Sequence, residues 1–158
     1  MPAIARSAVL LCLAGAFAFA DPHDDVMEVL SKMAAALTDA SSDGARNAGP
    51  NIAEFMSAVS KDMPDRDTLQ NNITGLMNNA EVSASILPLM ESEADHTYKI
   101  DLDWFLEIRS LEQDGPVVRR REVIHCELRQ EDLHKKTAHW RVVALKPLDF
   151  FAPPPLGR

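Results

Sequence analysis

The chain has 158 residues, a formal net charge of −8, and is 46% hydrophobic and 25% charged. That length and composition suit one soluble globular core and are too small for two sizeable domains. The acidic balance gives no electrostatic reason to bind nucleic acid and no basic patch for a membrane surface, Arg119-Arg120-Arg121 being a lone cluster with Glu122 beside it.

Residues 1–20 stand apart. Arg6 precedes an uninterrupted apolar run, Ala8 to Ala20, which closes on Ala18-Phe19-Ala20 just before Asp21. A basic residue, a short apolar core and a small-x-small ending describe a secretory signal peptide, with a buried N-terminal helix as the other reading. The run is too short to be a membrane anchor. Its removal takes away one basic residue and no acid, so the mature charge becomes −9. Cys12 leaves with it, and Leu11 is the wrong neighbour for a lipoprotein cysteine. Cys126 then has no partner thiol in the chain. On the apolar face of its strand it is expected to be buried and inert.

Asp21-Pro22 opens a first helix, with aspartate as cap, proline at the first position, and Asp24 and Asp25 at the positive end of the dipole. Val26, Val29, Leu30, Met33 and Leu37 form its apolar stripe, and the helix fades by Thr38. Asp39 to Gly49 reads as a polar linker. Asn51 to Val59 is a second helix, where Asn51 and Glu54 fit a capping box. Pro64 closes that region. Asp67 with Gln70 then caps a third helix, whose buried face is Leu69, Ile73, Leu76 and Met77. Gly75 weakens it by about 1 kcal/mol relative to alanine, so packing must hold it. Asn72-Ile73-Thr74 matches a glycosylation acceptor by chance, since it lies on a helix.

After Asn79 the pattern turns to strand. Glu81 to Leu87 is short, and Pro88 marks an edge or a strand end. From Tyr98 the residues alternate: Tyr98, Ile100, Leu102, Trp104, Leu106 and Ile108 on one face, charged residues on the other. Val117 to Arg129 returns, with Ile124, Cys126 and Leu128 on its apolar face. A three-residue loop, Gln113 to Gly115, sets Trp104 opposite Ile124, Leu102 opposite Cys126, Asp103 opposite His125 and Glu107 opposite Arg121. Gln130 to Lys136 is a charged turn, and His139 to Lys146 is the last strand, stopped by Pro147. Phe150 and Phe151 are too apolar to stay in water and are expected to dock on the domain or on a partner subunit.

The order is three helices followed by a four-stranded antiparallel sheet, an α+β fold with the helices gathered on one face. That order, the strand DLDWFLEI, the arginine-rich start of the next strand and the final pair VIHCELR and HWRVVAL together resemble the nuclear transport factor 2-like superfamily. This is the cone-shaped fold of SnoaL-like cyclases and ketosteroid isomerase. The resemblance covers Val26 to Phe151, within one domain of residues 21–151 followed by a Pro-rich tail, 152–158. It implies a pocket between the helices and the concave sheet face, and often a homodimer through the convex face. Its members include isomerases, dehydratases, hydrolases and proteins with no reaction, so the fold alone assigns no chemistry.

Tyr98 and Trp104 are expected to floor that pocket, with Arg120 and Glu122 on the same face near its mouth. A glutamate against apolar walls acquires a raised pKa and can serve as a base, or else it emerges into water at the rim. Asp103 with His125 is the nearest thing to a catalytic dyad. It lies on the face away from the helices, where a surface ion pair or dimer contact is the simpler reading, and Glu107 with Arg121 reads the same way. His23, His96, His125, His134 and His139 lack the spacing of a metal site, and nothing points to a cofactor. The expectation is an exported, non-catalytic domain holding a small apolar ligand or a protein partner. Two alternatives are a small acid–base isomerase, dehydratase or cyclase, and an envelope protein whose Phe150-Phe151 tail docks on another chain.

Overall fold

The computed structural model describes residues 21–39, 48–111, 115–134 and 139–155. The expected signal peptide, most of the linker after Asp39, the hairpin tip at Gln113 and Asp114 and part of the turn before His139 lie outside the described residues. Three helices, α1 (Pro22–Asp39), α2 (Gly49–Ser57) and α3 (Arg66–Asn79), precede four strands, β1 (Ala80–Ala94), β2 (Thr97–Ser110), β3 (Val117–Glu131) and β4 (His139–Lys146). A 3₁₀ turn, Leu148–Phe151, follows. The strands pair antiparallel in sequence order, so β1 and β4 are the edges.

The helix ends follow local chemistry only in part. Asp21 caps α1, its carboxylate accepting the His23 N–H at 3.1 Å, and Val26, Leu30, Met33 and Leu37 are buried beneath it. α2 departs from expectation. It begins at Gly49 with Pro50 in its first turn and no side-chain cap, so the Asn51–Glu54 capping box is not made. It also stops at Ser57, because the next residues are drawn into the sheet. Val142 N–H donates to Ala58 O at 2.9 Å and Ser60 N–H to Val142 O at 2.8 Å, a parallel bridge that covers part of the outer edge of β4. α3 takes Asp65, not Asp67, at its cap position and gains no side-chain hydrogen bond there. Its buried face is Leu69, Ile73, Leu76 and Met77. Gly75 has a packing reason: a Cβ built there would lie 3.1 Å from the Pro153 ring, so the tail runs close along the helix.

β1 is longer than its sequence suggests. Pro88 does not end it, because an edge strand has one side free of ladder bonds; the pairing shifts between Pro88 and Met90 and continues to Ala94. At its other end α1 covers that edge, the Thr38 hydroxyl accepting the Ala84 N–H at 3.0 Å. The β1–β2 connection is a two-residue turn, Asp95-His96, with both residues left-handed at φ 49° and 61°. No glycine announces it. His96 O accepts the Gln130 N–H at 2.9 Å, tying the turn to β3.

The apolar face of β2 lies on the helices as expected, with Leu102, Trp104, Leu106 and Ile108 fully buried. The β2–β3 register, however, is two residues from the expected one. Trp104 faces Glu122, Leu102 faces Ile124, Asp101 faces His125 and Glu107 faces Arg119, and the last pair is Arg109 with Val117. A shift of two keeps every side chain on its face, so the hydrophobic pattern is blind to it. Phe150 and Phe151 are buried in their own chain, which removes the reading in which they dock on another. Cys126 is buried too, and burial pushes its thiol pKa far up.

The Asp95-His96 turn yields a prediction. Asp95→Val puts a β-branched residue at positive φ on an exposed tip and should cost about 1–2 kcal/mol in urea unfolding; an unchanged midpoint would show that the turn tolerates any residue.

Candidate functional site

The four expected pocket residues do not form one open pocket. Trp104 is fully buried, and the Phe151 ring meets it edge-on at 5.1 Å while meeting Phe55 at 6.1 Å. The space over Trp104 is therefore taken by the chain's own 3₁₀ turn. Arg120 holds that turn in place: one guanidinium nitrogen donates to Phe150 O at 2.7 Å and to Ala152 O at 2.5 Å. Arg120 is thus a clamp on the tail. Glu122, although paired with Trp104 across the strands, is exposed. The indole N–H groups of Trp104 and Trp140 are buried without a partner among the described residues.

Tyr98 lies toward the other end of β2, packed edge-on against Trp140 at 5.9 Å. Its hydroxyl is 3.4 Å from His23 Nδ1, which in turn is 2.7 Å from the Glu91 carboxylate. Burial, and then the Glu91 carboxylate, push the phenol pKa up. The Tyr98 hydroxyl and His23 hold that carboxylate below its ordinary range. No sequence signal joins these three, since Glu91 lies past the proline and His23 sits at the start of α1.

The convex face carries a ladder of charge pairs. The Asp103–His125 dyad is not formed: the two-residue difference in register gives His125 to Asp101, at 2.7 Å. Asp103 instead takes a forked pair from Arg121, Nε at 2.9 Å and Nη2 at 2.6 Å, a geometry that strengthens the pair. Glu107 accordingly pairs with Arg119 at 2.8 Å and not with Arg121, and Lys99 lies 3.9 Å from Glu127. The Arg121 guanidinium holds the Asp103 carboxyl below the usual range. A folded-state pKa below the unfolded one gives stability that is present above the unfolded value and lost as pH falls through the folded one. Thermal stability should therefore drop on acidification below about pH 4 less steeply for Asp103→Asn than for the wild type; identical slopes would remove the pair as a contributor.

An open concavity lies elsewhere. A cleft of about 630 Å³ runs between the α2–α3 connection and the ends of β3 and β4, lined by Ser60, Lys61, Asp62, Arg66, Arg129, Glu131, Asp132 and Arg141 with Met56 and Val59. The Ser60 hydroxyl, almost fully buried, donates to Glu131 at 2.6 Å, and Arg141 donates to Ser57 O. Arg129 and Arg141 are direct cross-strand partners. Three distant segments contribute, so spacing in the sequence cannot reveal the cleft. The one legible signal, arginines on facing strands, required the β3–β4 register. Among the described residues no three metal-ligating side chains converge, and no helix is long and apolar enough to cross a membrane.

No family model matches the sequence, and no curated protein matches it. Solved structures do. A conserved protein from Planctomyces limnophilus DSM 3776 superposes with a TM-score of 0.60 at 10% identity, over 78% of this chain and 91% of that one. Aln2 from a Streptomyces species gives 0.56 at 11% identity, over 79% and 89%. A nuclear transport factor 2-like superfamily protein from Salmonella enterica subsp. enterica serovar Typhimurium gives 0.56 at 10% identity, over 85% and 92%. Identities this low carry the fold and no activity. With three helices on one face of an open four-stranded antiparallel sheet, and with these neighbours, the chain has the nuclear transport factor 2-like fold.

Proposed function

We propose that this chain is an exported, non-catalytic binding module, assembled as a homodimer, that takes a small ligand in the cleft between the α2–α3 connection and the ends of β3 and β4. The observation that carries this reading is the position of Phe151. It occupies the place over Trp104 where the resemblance puts an apolar ligand, and the cleft, at about 630 Å³, is more than twice the volume of the hollows at Asp103 and at Trp140. The isomerase, dehydratase or cyclase alternative needs a carboxylate or imidazole held in a dry cavity. Among the described residues no carboxylate or imidazole is buried, each being exposed or partly exposed. The homodimer is supported by the convex face, where Leu87 and Val123 are exposed on either side of Asp103, next to the half-buried Phe105. Export is supported by the leader-like residues 1–20 and by the helix cap that follows at Asp21.

Chemical-shift mapping with a set of small charged and neutral molecules tests the site. Ligands should move Met56, Val59, Ser60 and Arg141 and leave Tyr98 and Trp104 in place; shifts centred on Trp104 instead would return the site to the cone interior. The exported chain should begin at Asp21 by mass spectrometry and sediment as a dimer that Val123→Glu converts to monomer. An intact N-terminus on the exported chain would sink export by cleavage, and a wild-type monomer would sink the dimer.

A further inference from the structure

Among the described residues outside the cleft, four of the seven lysines and arginines pair with an acid. Lys32 pairs with Glu28, Lys99 with Glu127, Arg119 with Glu107 and Arg121 with Asp103. The cleft is different. Lys61, Arg66, Arg129 and Arg141 all line it, and none of the four makes an ion pair among the described residues. Arg66 reaches only the neutral Gln70, at 3.1 Å, and its Nε is buried with no partner. Arg141 reaches only the carbonyl of Ser57.

Arg129 and Arg141 also stand directly opposite each other in the β3–β4 ladder. Like charges in that position are destabilising, and a bound anion removes the penalty. Three acids share the lining, Asp62, Glu131 and Asp132, so four cations against three acids leave it at +1 in a chain of −8. One of those acids, Glu131, is engaged by the Ser60 hydroxyl, which turns that carboxylate toward the protein. Guanidinium groups present planar, paired donors that match carboxylate and phosphate oxygens.

We propose that the cleft receives a small polyanion, with carboxylate or phosphate oxygens seated between Arg129 and Arg141 and reached by Lys61 and Arg66. This rests on the reading that the cleft is the binding site and names the ligand class it takes. Ser60 and Glu131 act as positioning residues, since their partly buried hydrogen bond fixes the end of β3 against the α2–α3 connection beside the arginines. Asp62 and Asp132, which share the lining, set the selectivity. They disfavour bulky polyanions such as nucleic acid and leave room for a compact one.

Calorimetric titration at low ionic strength, with citrate and inorganic phosphate as probes, tests this on the full mature chain. Saturable binding of at least one probe is expected, weakened by added salt because exposed charges are screened. The double variant Arg129→Gln, Arg141→Gln should lose roughly tenfold or more in affinity. Lys99→Gln, whose charge lies on the convex face, should lose nothing. Should the double variant fold poorly, Lys61→Gln alone, an exposed position, should still weaken binding while keeping the wild-type melting temperature.

Without a ligand, Arg129→Gln should melt no lower than the wild type, since it relieves the arginine–arginine contact; a marked drop in its melting temperature would overturn the argument from like charges. No saturable signal with either probe up to about 10 mM would overturn the proposal, as would binding that the double variant leaves unchanged. If neutral fragments shift Met56 and Val59 while citrate and phosphate shift nothing, the anion assignment falls and the site stands. If no molecule of any charge shifts the cleft, both fall.

Discussion

Phe151 packed edge-on against Trp104 is the contact on which the arrangement of this chain depends. Trp104 sits midway along β2 with its side chain on the helix side, and a sheet curved beneath helices leaves space above such a residue. Here the C-terminal turn fills that space from within. Phe150 and Phe151 meet edge-to-face at 5.1 Å, Phe151 bridges Trp104 to Phe55 of α2, and Arg120 on β3 binds the carbonyls on either side. Edge-to-face aromatic pairs add about 0.5–1.5 kcal/mol each beyond the area they bury. An arginine with its hydrogen bonds spent on main-chain carbonyls ties the tail to the sheet by a charge-assisted contact that does not depend on a carboxylate.

The region where the resemblance implies a pocket is core here, while an open cleft lies at an edge where α2 ends early. That early ending has a local cause. Ala58 and Ser60 exchange backbone hydrogen bonds with Val142 of β4, which is incompatible with another helical turn. The extended segment brings Ser60 and Lys61 beside the ends of β3 and β4, where Glu131, Arg129 and Arg141 wait. The charges on the convex face are ordered differently. There acid meets base at four places between β2 and β3.

Much of the architecture is legible in the sequence because it depends on short-range periodicity. The alternation from Tyr98 to Ile108 specifies a half-buried strand and the face it buries. The stripe of α1, the cap at Asp21 and the buried face of α3 follow from spacing in the same way. What misled the reading were features whose outcome is set at a distance. Pro88 marks an edge or a strand end, and nothing local chooses between them; it lies on an edge strand that runs on to Ala94. Asp95-His96 makes a left-handed turn without a glycine, held by Gln130 thirty-odd positions later. The pairing of β2 with β3 differs by two residues from the one that turn chemistry suggests, and period-two patterning cannot tell those registers apart.

The amino-acid sequence by itself determined the order of helices and strands, the face each presents to the core and the burial of Cys126, because those depend on neighbours within a turn or a strand. Only the tertiary structure decided which acid His125 meets, that Phe151 closes the space over Trp104, and that four cations from separate segments gather in one cleft. Those outcomes are set by strand register and by the packing of the C-terminal turn, which join residues far apart in the chain and leave no periodic trace in it.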